Sequence, residues 1–294
     1  MQTRHFAQLI LLSALWGASF PFLRVASPAF GPWGLAGIRC ALAALVLAVI
    51  MRIVRQRWPD RAAWPRLAVL SLLTIALPFV LFNWAALVLP AGYSAILNAT
   101  VPLFSMLGAA AMGDERLTWR RLAGCALGFA GVALLVRLGP VAVDRQVVLA
   151  ALACTAAAAS YGIGAVLMKR ATLTQQPLAA SGAAHLAAAI ALAVPTAATV
   201  ETMRPTSAAV AAILILGMVT SGLMYWVSMR LMREIPATAA TSSALMIPLF
   251  GVTWGRLFLG EPVTSGMVPG ALLVLAATAL ITGFNPLRVF RRGG

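Results

Sequence analysis

The chain has 294 residues, of which 62% are hydrophobic and only 10% are charged, and its mean hydropathy is +0.94. A water-soluble fold of this length could not cover so much apolar side chain, so the composition excludes a soluble enzyme, a disordered chain and a disulfide scaffold. The net charge of +15 does not require nucleic acid, because the basic residues lie at the ends of apolar segments, where membrane topology explains them. We therefore predict a protein embedded in lipid.

Apolar segments follow one another along the whole chain. A membrane-spanning helix needs about 20 apolar residues, and turn-forming residues such as Trp58-Pro59-Asp60 separate the segments. The predicted spans are 6–23, 33–51, 66–89, 92–112, 120–138, 148–168, 178–199, 208–230, 237–257 and 265–286. The expected fold class is therefore an all-α integral membrane protein with ten transmembrane helices.

Basic residues are distributed unevenly over the loops between these spans. Sixteen lie on the side that holds both termini, whereas five lie on the other side: Arg24, Arg137, Arg145, Arg204 and Arg256. Cytoplasmic loops carry the excess of lysine and arginine in membrane proteins. Both termini are therefore predicted to be cytoplasmic.

The two halves of the sequence align with each other. At an offset of 146 residues, Val101-Pro102-Leu103-Phe104 matches Ile247-Pro248-Leu249-Phe250 without gaps. Near the start of each half the offset is 145, which aligns Trp16-Gly17 with Tyr161-Gly162. The sequence therefore contains an internal duplication.

A duplicated unit of five spans has a topological consequence. Because five is odd, the second copy enters the membrane in the opposite orientation. We predict a first five-helix repeat over 1–139 and a second, inverted repeat over 148–288. Inverted repeats are typical of secondary transporters, which bind substrate near the membrane midplane between the halves.

The repeated motifs resemble a known transporter family. The first half contains Ala86-Leu87, Pro102, Glu115-Arg116-Leu117-Thr118, Gly124 and Gly131-Val132, and Trp16-Gly17 and Arg39 are also similar to that family. The second half contains Pro248, Glu261-Pro262-Val263-Thr264 and Gly270, but has Ala277 where the first half has Gly131. In order and spacing these residues resemble the EamA family of the drug/metabolite transporter superfamily, and the chain is most similar to its bacterial aromatic amino acid exporters.

The resemblance implies a fold and a function. It implies ten helices in two inverted repeats and the export of small metabolites by alternating access across the bacterial inner membrane. The expected partners are a small-molecule substrate, such as an amino acid, and the lipid bilayer. Neither nucleic acid nor a cofactor or metal is expected, and the protein is expected to act as a monomer.

Prolines and amides predict a polar pathway within the spans. Pro102 and Pro248 lie near the middle of spans four and nine, where each removes a backbone donor and favours a bent helix. Ser94 and Asn98 precede Pro102 at helical spacing and so share one face. Asn83 adds an amide in span three. These groups are either interhelical hydrogen bonds or substrate contacts, and a kink that serves packing alone is the alternative for the prolines.

Aromatic residues recur at matched positions of the two halves. Trp16 matches Tyr161, Phe79 matches Tyr225, and Phe20 lies one turn beyond Trp16. If these faces point inward, they form an aromatic and nearly uncharged wall that suits a flat or thioether side chain. The alternative is that they pack against other helices or face lipid.

The position of the acidic residues bears on energy coupling. All seven lie in loops or at helix ends: Asp60, Asp114, Glu115, Asp144, Glu201, Glu234 and Glu261. Transporters driven by protons or sodium often have a carboxylate at membrane depth. We therefore predict an uncoupled facilitator. The alternative is a proton-coupled exporter of drugs or other small metabolites, for which His185 in span seven is the deep group that could titrate.

Three further interpretations concern individual residues. Arg39 in span two could extend to the headgroups, hold a carbonyl group or contact a substrate carboxylate. Glu115 and Glu261 precede Thr118 and Thr264, which we expect to cap spans five and ten. An intramembrane enzyme is a remote alternative, because Ser181 and His185 are one turn apart but have no acid to orient them.

Overall fold

A computed structural model describes residues 3–113, 118–138, 141–172, 174–234 and 243–282, and the structural statements below refer to these. They form helices joined by short connections. The α-helices are α1 (Thr3–Ile53), α2 (Trp64–Ser71), α3 (Leu77–Ala85), α4 (Ala91–Asn98), α5 (Val101–Ala111), α6 (Trp119–Leu138), α7 (Arg145–Thr172), α8 (Pro177–Ala198), α9 (Ser207–Leu214), α10 (Met224–Glu234), α11 (Ser243–Leu259) and α12 (Met267–Thr282). Short 3-10 helices cover Arg61–Ala63 and Val200–Thr202.

Six described helical segments are long and apolar enough to cross a bilayer. They are Ala7–Ile53, Arg61–Ala85, Ala91–Ala111, Arg145–Met168, Pro177–Ala198 and Ser207–Leu231, and shorter apolar helices cover Leu122–Gly131, Met246–Leu259 and Met267–Ala277. The all-helical membrane fold is therefore confirmed. The count of ten spans and the cytoplasmic position of the termini stay predictions.

Helix α1 consists of two segments that meet at Gly31. Its 51 residues would measure about 75 Å if straight, more than twice the thickness of a hydrocarbon core. Gly31 has φ 68° and ψ 163°, a conformation that only glycine adopts readily. Trp16 and Arg39, on opposite sides of Gly31, both contact Thr220, so the two segments lie side by side. The helix continues beyond residue 23, where the sequence analysis ended the first span.

Two π-helices interrupt the bundle at related positions. The first covers Leu72–Ala76, between α2 and α3, and the second covers Ile215–Leu223, between α9 and α10. Shifted by 146 residues, the first falls at 218–222, inside the second. Thr74 and Thr220 correspond at this offset, and their hydroxyls donate to the carbonyls of Leu70 and Leu216, both at 2.8 Å. The internal duplication thus extends to a rare backbone conformation that is often found at functional sites.

The two matched prolines have different effects on the backbone. Before Pro102 the helix is broken, because α4 ends at Asn98 and α5 begins at Val101. In this break Thr100 closes a tighter turn: its amide and its hydroxyl both donate to the carbonyl of Leu97, at 3.1 and 2.7 Å. Pro248 instead lies inside the continuous helix α11. Both prolines are buried.

The repeated motifs pack directly against each other. A methyl group added at Gly17 would lie 2.6 Å from Cβ of Phe250 and 3.1 Å from the carbonyl of Ile247. One added at Gly162 would lie 2.6 Å from the amide of Ser105 and 2.7 Å from the carbonyl of Val101. Each glycine therefore allows its helix to approach the proline-containing helix of the other half. Helix α1 packs in this way on α11, and α7 packs on α5.

The predicted threonine cap of the last span is wrong. The hydroxyl of Thr264 has no hydrogen-bond partner among the described residues, and α12 begins only at Met267. Glu261 is not confined to its own loop either, because its carboxylate accepts from the amides of Ala91 and Gly92 at 2.8 and 3.4 Å. It therefore caps α4. Glu115, the corresponding acid, lies outside the described residues.

Candidate functional site around Arg39

A buried arginine lies where the two halves of the chain meet. Arg39 is on α1, eight residues after Gly31 and thus about 12 Å along the helix from that turn. Its side chain is only 7% exposed. Nε donates to Oγ of Ser221 at 2.6 Å, and Nη2 lies 3.5 Å from Oγ1 of Thr220. Both acceptors belong to the second π-helix.

The second π-helix also accepts a hydrogen bond from Trp16 of α1. The indole Nε1 of Trp16 donates to the carbonyl oxygen of Thr220 at 3.2 Å. The hydroxyl proton of Thr220 is directed to the carbonyl of Leu216, which leaves lone pairs of the hydroxyl oxygen for the guanidinium. Both segments of α1 are therefore anchored on one residue of the second half.

Aromatic rings surround the guanidinium. Its Cζ lies 3.8 Å from the ring centroid of Phe79, a cation–π distance. Tyr161 is close enough to interact electrostatically with Arg39. The ring of Tyr161 stacks on Phe82 at 6.0 Å between centroids, and Phe82 meets Phe20 edge-on at 5.7 Å. Phe20, Phe82 and Tyr161 thus form a row of rings that ends near the cation.

A second aromatic contact closes the cluster on the side of α8. The rings of His185 and Tyr225 are perpendicular, with centroids 4.8 Å apart. Nδ1 of His185 donates to the carbonyl of Ser181 at 3.0 Å, which leaves the buried Nε2 as an acceptor without a partner among the described residues. Tyr225 also lies close to Thr74 of the first π-helix. Both π-helices therefore contribute to the cluster.

The charge of Arg39 is not neutralised within the described part of the protein. Its recorded partners are two neutral hydroxyls and aromatic rings. The acids whose side chains are described lie in connections between helices: Asp60, Asp144, Glu201 and Glu261. An arginine at membrane depth costs about 2.5–3.5 kcal/mol even on insertion scales, so such residues are usually paired or functional. The site can therefore accept an anion.

The structure brings together half of the predicted pathway residues and separates the rest. Trp16, Phe79, Tyr161 and Tyr225 lie near Arg39 or its partners, and Phe20 is linked to Tyr161 through Phe82. The amide of Asn83 instead donates to the carbonyl of Pro32 at 3.0 Å, beside the Gly31 turn. Ser94 is buried next to Cys154, and Asn98 is the last residue of α4. Pro102 directly follows Val101, whose carbonyl group lies against Gly162. Pro248 directly follows Ile247, whose carbonyl group lies against Gly17.

The structure disfavours two of the three roles predicted for Arg39, contact with a substrate carboxylate stays a prediction, and its hydroxyl partners were missed. The guanidinium neither extends to the headgroups nor holds a carbonyl group, because it is buried on two hydroxyls. Thr220 and Ser221 were not selected as site residues. The available signal was the alignment of Thr220 with Thr74 at the repeat offset, together with two consecutive hydroxyls in an otherwise apolar span.

An open groove of about 220 Å³ lies elsewhere on the described surface. Its lining is formed by Trp33, Leu72, Ala76, Leu77, Val80, Ala191, Leu192 and Pro195. None of these side chains carries a charge, so the groove offers a substrate only apolar contact.

Comparison with known proteins agrees with this architecture. The chain is 26% identical over 285 residues to the uncharacterized transporter YvbV of Bacillus subtilis, with 95% of this chain and 92% of that protein covered. It is 33% identical over 131 residues to a probable terminal-alkyne amino-acid exporter of Streptantibioticus cattleyicolor, a match that spans 45% of this chain and 44% of that protein. A solved crystal structure shares the fold with a TM-score of 0.69 at 17% identity, covering 96% of this chain and 99% of the other.

The family match covers nearly the whole chain and occurs twice. Residues 6–137 and residues 148–283 each match the EamA-like transporter family. The match and the names of the relatives point to a transporter rather than an enzyme, and to a multi-pass protein of a membrane. The earlier resemblance is thereby confirmed, and the chain belongs to the EamA-like transporter family.

Proposed function

We propose that this protein exports small apolar or aromatic amino acids, or closely related metabolites, across a bacterial inner membrane. Transport follows alternating access between two inverted five-helix repeats, 1–139 and 148–288, and the protein works as a monomer. Substrate runs down its own gradient without a coupling ion. The substrate pathway includes the aromatic cluster around Arg39.

The observation that carries the proposal is the composition of this cluster. Arg39 and Phe79 belong to the first family match, whereas Tyr161, Ser221 and Tyr225 belong to the second. A site built from both halves changes its access when the halves move relative to each other. Aromatic faces suit an apolar or aromatic side chain, and the similarity to an amino-acid exporter supports the same substrate class.

The uncoupled mechanism is supported by the position of the acids. The described acidic side chains lie in connections and not beside the aromatic cluster. Of the deep groups near the cluster, His185 is held by its own helix through the carbonyl of Ser181. A carboxylate that could bind and release a proton or sodium ion is not among the described residues of the cluster.

Counterflow in proteoliposomes tests the proposed function. Purified protein is reconstituted in liposomes loaded with unlabelled substrate, and uptake of labelled phenylalanine, methionine or a quaternary ammonium compound is followed. We expect phenylalanine and methionine to exchange and the quaternary ammonium compound not to exchange. The opposite order would favour a drug exporter and refute the amino-acid proposal.

A second measurement separates facilitated from proton-coupled transport. Net flux of phenylalanine out of loaded liposomes that carry an imposed proton gradient is measured with and without a protonophore. An uncoupled protein gives the same initial rate in both conditions. A flux that stops when the proton gradient collapses would contradict the facilitator model and favour the proton-coupled alternative.

The enzymatic alternative loses its candidate pair. The hydroxyl of Ser181 donates to the carbonyl of Pro177 at 2.7 Å, and the ring of His185 bonds to the backbone of Ser181 instead of to this hydroxyl. A general base must reach the proton that it removes. These two residues therefore form no nucleophile and base.

A further inference from the structure

We propose that Arg39 binds the carboxylate of the transported substrate, so that the protein selects carboxylates and zwitterions and rejects amines without a carboxyl group. This inference rests on the proposed transport function and adds the group by which the substrate is recognised. The binding element is the outer edge of the guanidinium, formed by Nη1 and Nη2.

The hydrogen bonds of Arg39 fix the side chain at Nε and leave Nη1 and Nη2 weakly bonded within the described residues. The short bond from Nε to Ser221 holds the guanidinium in place at 2.6 Å. The contact from Nη2 to Thr220, at 3.5 Å, is at the limit of a hydrogen bond and can give way to a better acceptor. Nη1 has no hydrogen bond to any described residue. Two parallel N–H groups match the two oxygens of a carboxylate.

The electrostatics of the site favour an anion. Arg39 is a buried residue, yet the hydroxyls of Thr220 and Ser221 and the ring of Phe79 beside its guanidinium carry no formal charge. An unpaired buried cation is unfavourable in a low-dielectric environment. A carboxylate that arrives beside it restores neutrality, whereas an amine would add a second positive charge. The same field therefore attracts one class of substrate and repels the other.

The neighbouring rings define where the rest of the substrate lies. Phe79 covers one face of the guanidinium, and Tyr161 lies beside it, in contact with Phe82. A substrate anchored at Nη1 and Nη2 by its carboxylate places its side chain against this row of rings. An amino acid with an aromatic or thioether side chain uses both parts of the site.

The alternative is that Arg39 is only a structural brace between α1 and the second π-helix. A brace predicts that substitution lowers stability without changing which compounds bind. Carboxylate recognition predicts that substitution of Arg39 changes ligand preference even under conditions in which the variant is stably folded. The experiment therefore measures preference as well as activity.

The first arm uses the unaltered protein and three ligands that share one ring. Phenylalanine, 3-phenylpropionate without the amino group, and phenethylamine without the carboxyl group compete against labelled phenylalanine in counterflow. Thermal stabilisation of the detergent-solubilised protein by each compound is measured in parallel. We expect 3-phenylpropionate to compete and stabilise at concentrations at least about tenfold lower than phenethylamine, as a charge-assisted hydrogen-bond pair implies.

The second arm compares Arg39→Gln and Arg39→Lys with Arg24→Gln. Arg24 is also on α1, but its Nη1 donates to the carbonyl of Ala86 at 2.7 Å, so its loss serves as a matched control. We expect Arg39→Gln to remove the preference for the carboxylate, Arg39→Lys to keep part of it, and Arg24→Gln to leave it intact. If Arg39→Gln does not fold, Arg39→Lys and the ligand series on the unaltered protein still distinguish carboxylate recognition from a purely structural role of Arg39.

The two proposals fail in different ways. If neither phenylalanine nor methionine exchanges and none of the three ligands stabilises the protein, the proposed function is wrong. If phenylalanine exchanges but phenethylamine competes as well as 3-phenylpropionate, transport stands and the role of Arg39 is refuted. Equal ligand preference in Arg39→Gln and the unaltered protein would likewise identify Arg39 as a brace.

Discussion

Arg39 donates a 2.6 Å hydrogen bond from Nε to Oγ of Ser221, a residue 182 positions further along the chain. The bond connects the first family match to the second. It therefore fixes a formal charge at the junction of the two halves. In the proposed alternating-access mechanism the halves move relative to each other, so this contact would couple substrate binding to their movement.

Loss of the Ser221 hydroxyl should weaken substrate binding. In Ser221→Ala the guanidinium keeps only its long hydrogen bond to Thr220 and its contact with the Phe79 ring, so it is less well oriented for a carboxylate. We expect the KM for phenylalanine counterflow to rise about tenfold, in line with a hydrogen bond to a charged group, while kcat changes less. Ser181→Ala is the matched control, because this buried hydroxyl bonds only within α8. Equal effects of both variants would contradict the specific role of Ser221.

The indole N–H of Trp16 should matter separately from its ring. Trp16→Phe keeps an aromatic wall but removes the 3.2 Å bond to the carbonyl of Thr220. We expect counterflow to fall several-fold. Trp254→Phe is a close control, since Trp254 also donates to a carbonyl of another helix, that of Ala14, at 3.0 Å, but stacks with Phe250 and Phe258 away from Arg39. A similar loss in Trp254→Phe would show that any such interhelical bond is required.

The sequence was sufficient to predict the all-helical membrane fold, the family and a set of aromatic residues of which several lie close together in the structure. The lengths of the apolar segments and the residues matched between the two halves carry this information, because both follow from residue types along the sequence alone. Trp16, Phe79, Tyr161 and Tyr225 were predicted in this way and lie near Arg39 or its partners, whereas Phe20 is linked to them through Phe82. Their convergence reflects which helix faces point toward the junction of the halves.

The role of Arg39 could not be predicted in the same way. Its depth depends on the turn at Gly31, and its partners depend on a π-helix that rotates Thr220 and Ser221 relative to an ideal α-helix. Neither feature follows from the hydropathy of a single span. The same holds for Glu261, whose carboxylate reaches α4 across 170 positions of sequence.

The glycines of the matched motifs should tolerate no side chain. In Gly17→Ala and Gly162→Ala the new methyl group meets backbone atoms at 3.0 Å or less, and backbone cannot move aside without separating the helices. We expect each variant to lose about 1–3 kcal/mol of stability, measured by unfolding in detergent. Gly108→Ala is the control on the same pair of helices as Gly162, because its nearest contact would be an ordinary 3.4 Å to Ile163. Unchanged stability of Gly17→Ala would refute the close packing of α1 on α11.

The carboxylate of Glu261 joins the two halves of the chain at the N-terminus of α4. It accepts from the amides of Ala91 and Gly92, which have no partner within the first turn of their own helix. Gly255 leaves room for it, since a methyl group there would lie 2.7 Å from Oε2 of Glu261. The amide of Glu261 also donates to the carbonyl of Gly255 at 3.2 Å. Substitutions at these two positions should therefore act on the same contact.

A double-mutant cycle on Glu261 and Gly255 tests this arrangement. Glu261→Gln weakens the cap and should cost about 1 kcal/mol, and Gly255→Ala should cost a similar amount by displacing the carboxylate. Because each change removes the same bonds, the double variant should lose clearly less than the sum of the two. Asp144→Asn provides the control: Asp144 accepts from the amide of Val147 at 2.7 Å at the start of α7 and is expected to be additive with Gly255→Ala. Unfolding in detergent measures all five variants, and additivity of Glu261→Gln with Gly255→Ala would mean that the cap does not depend on the space at Gly255.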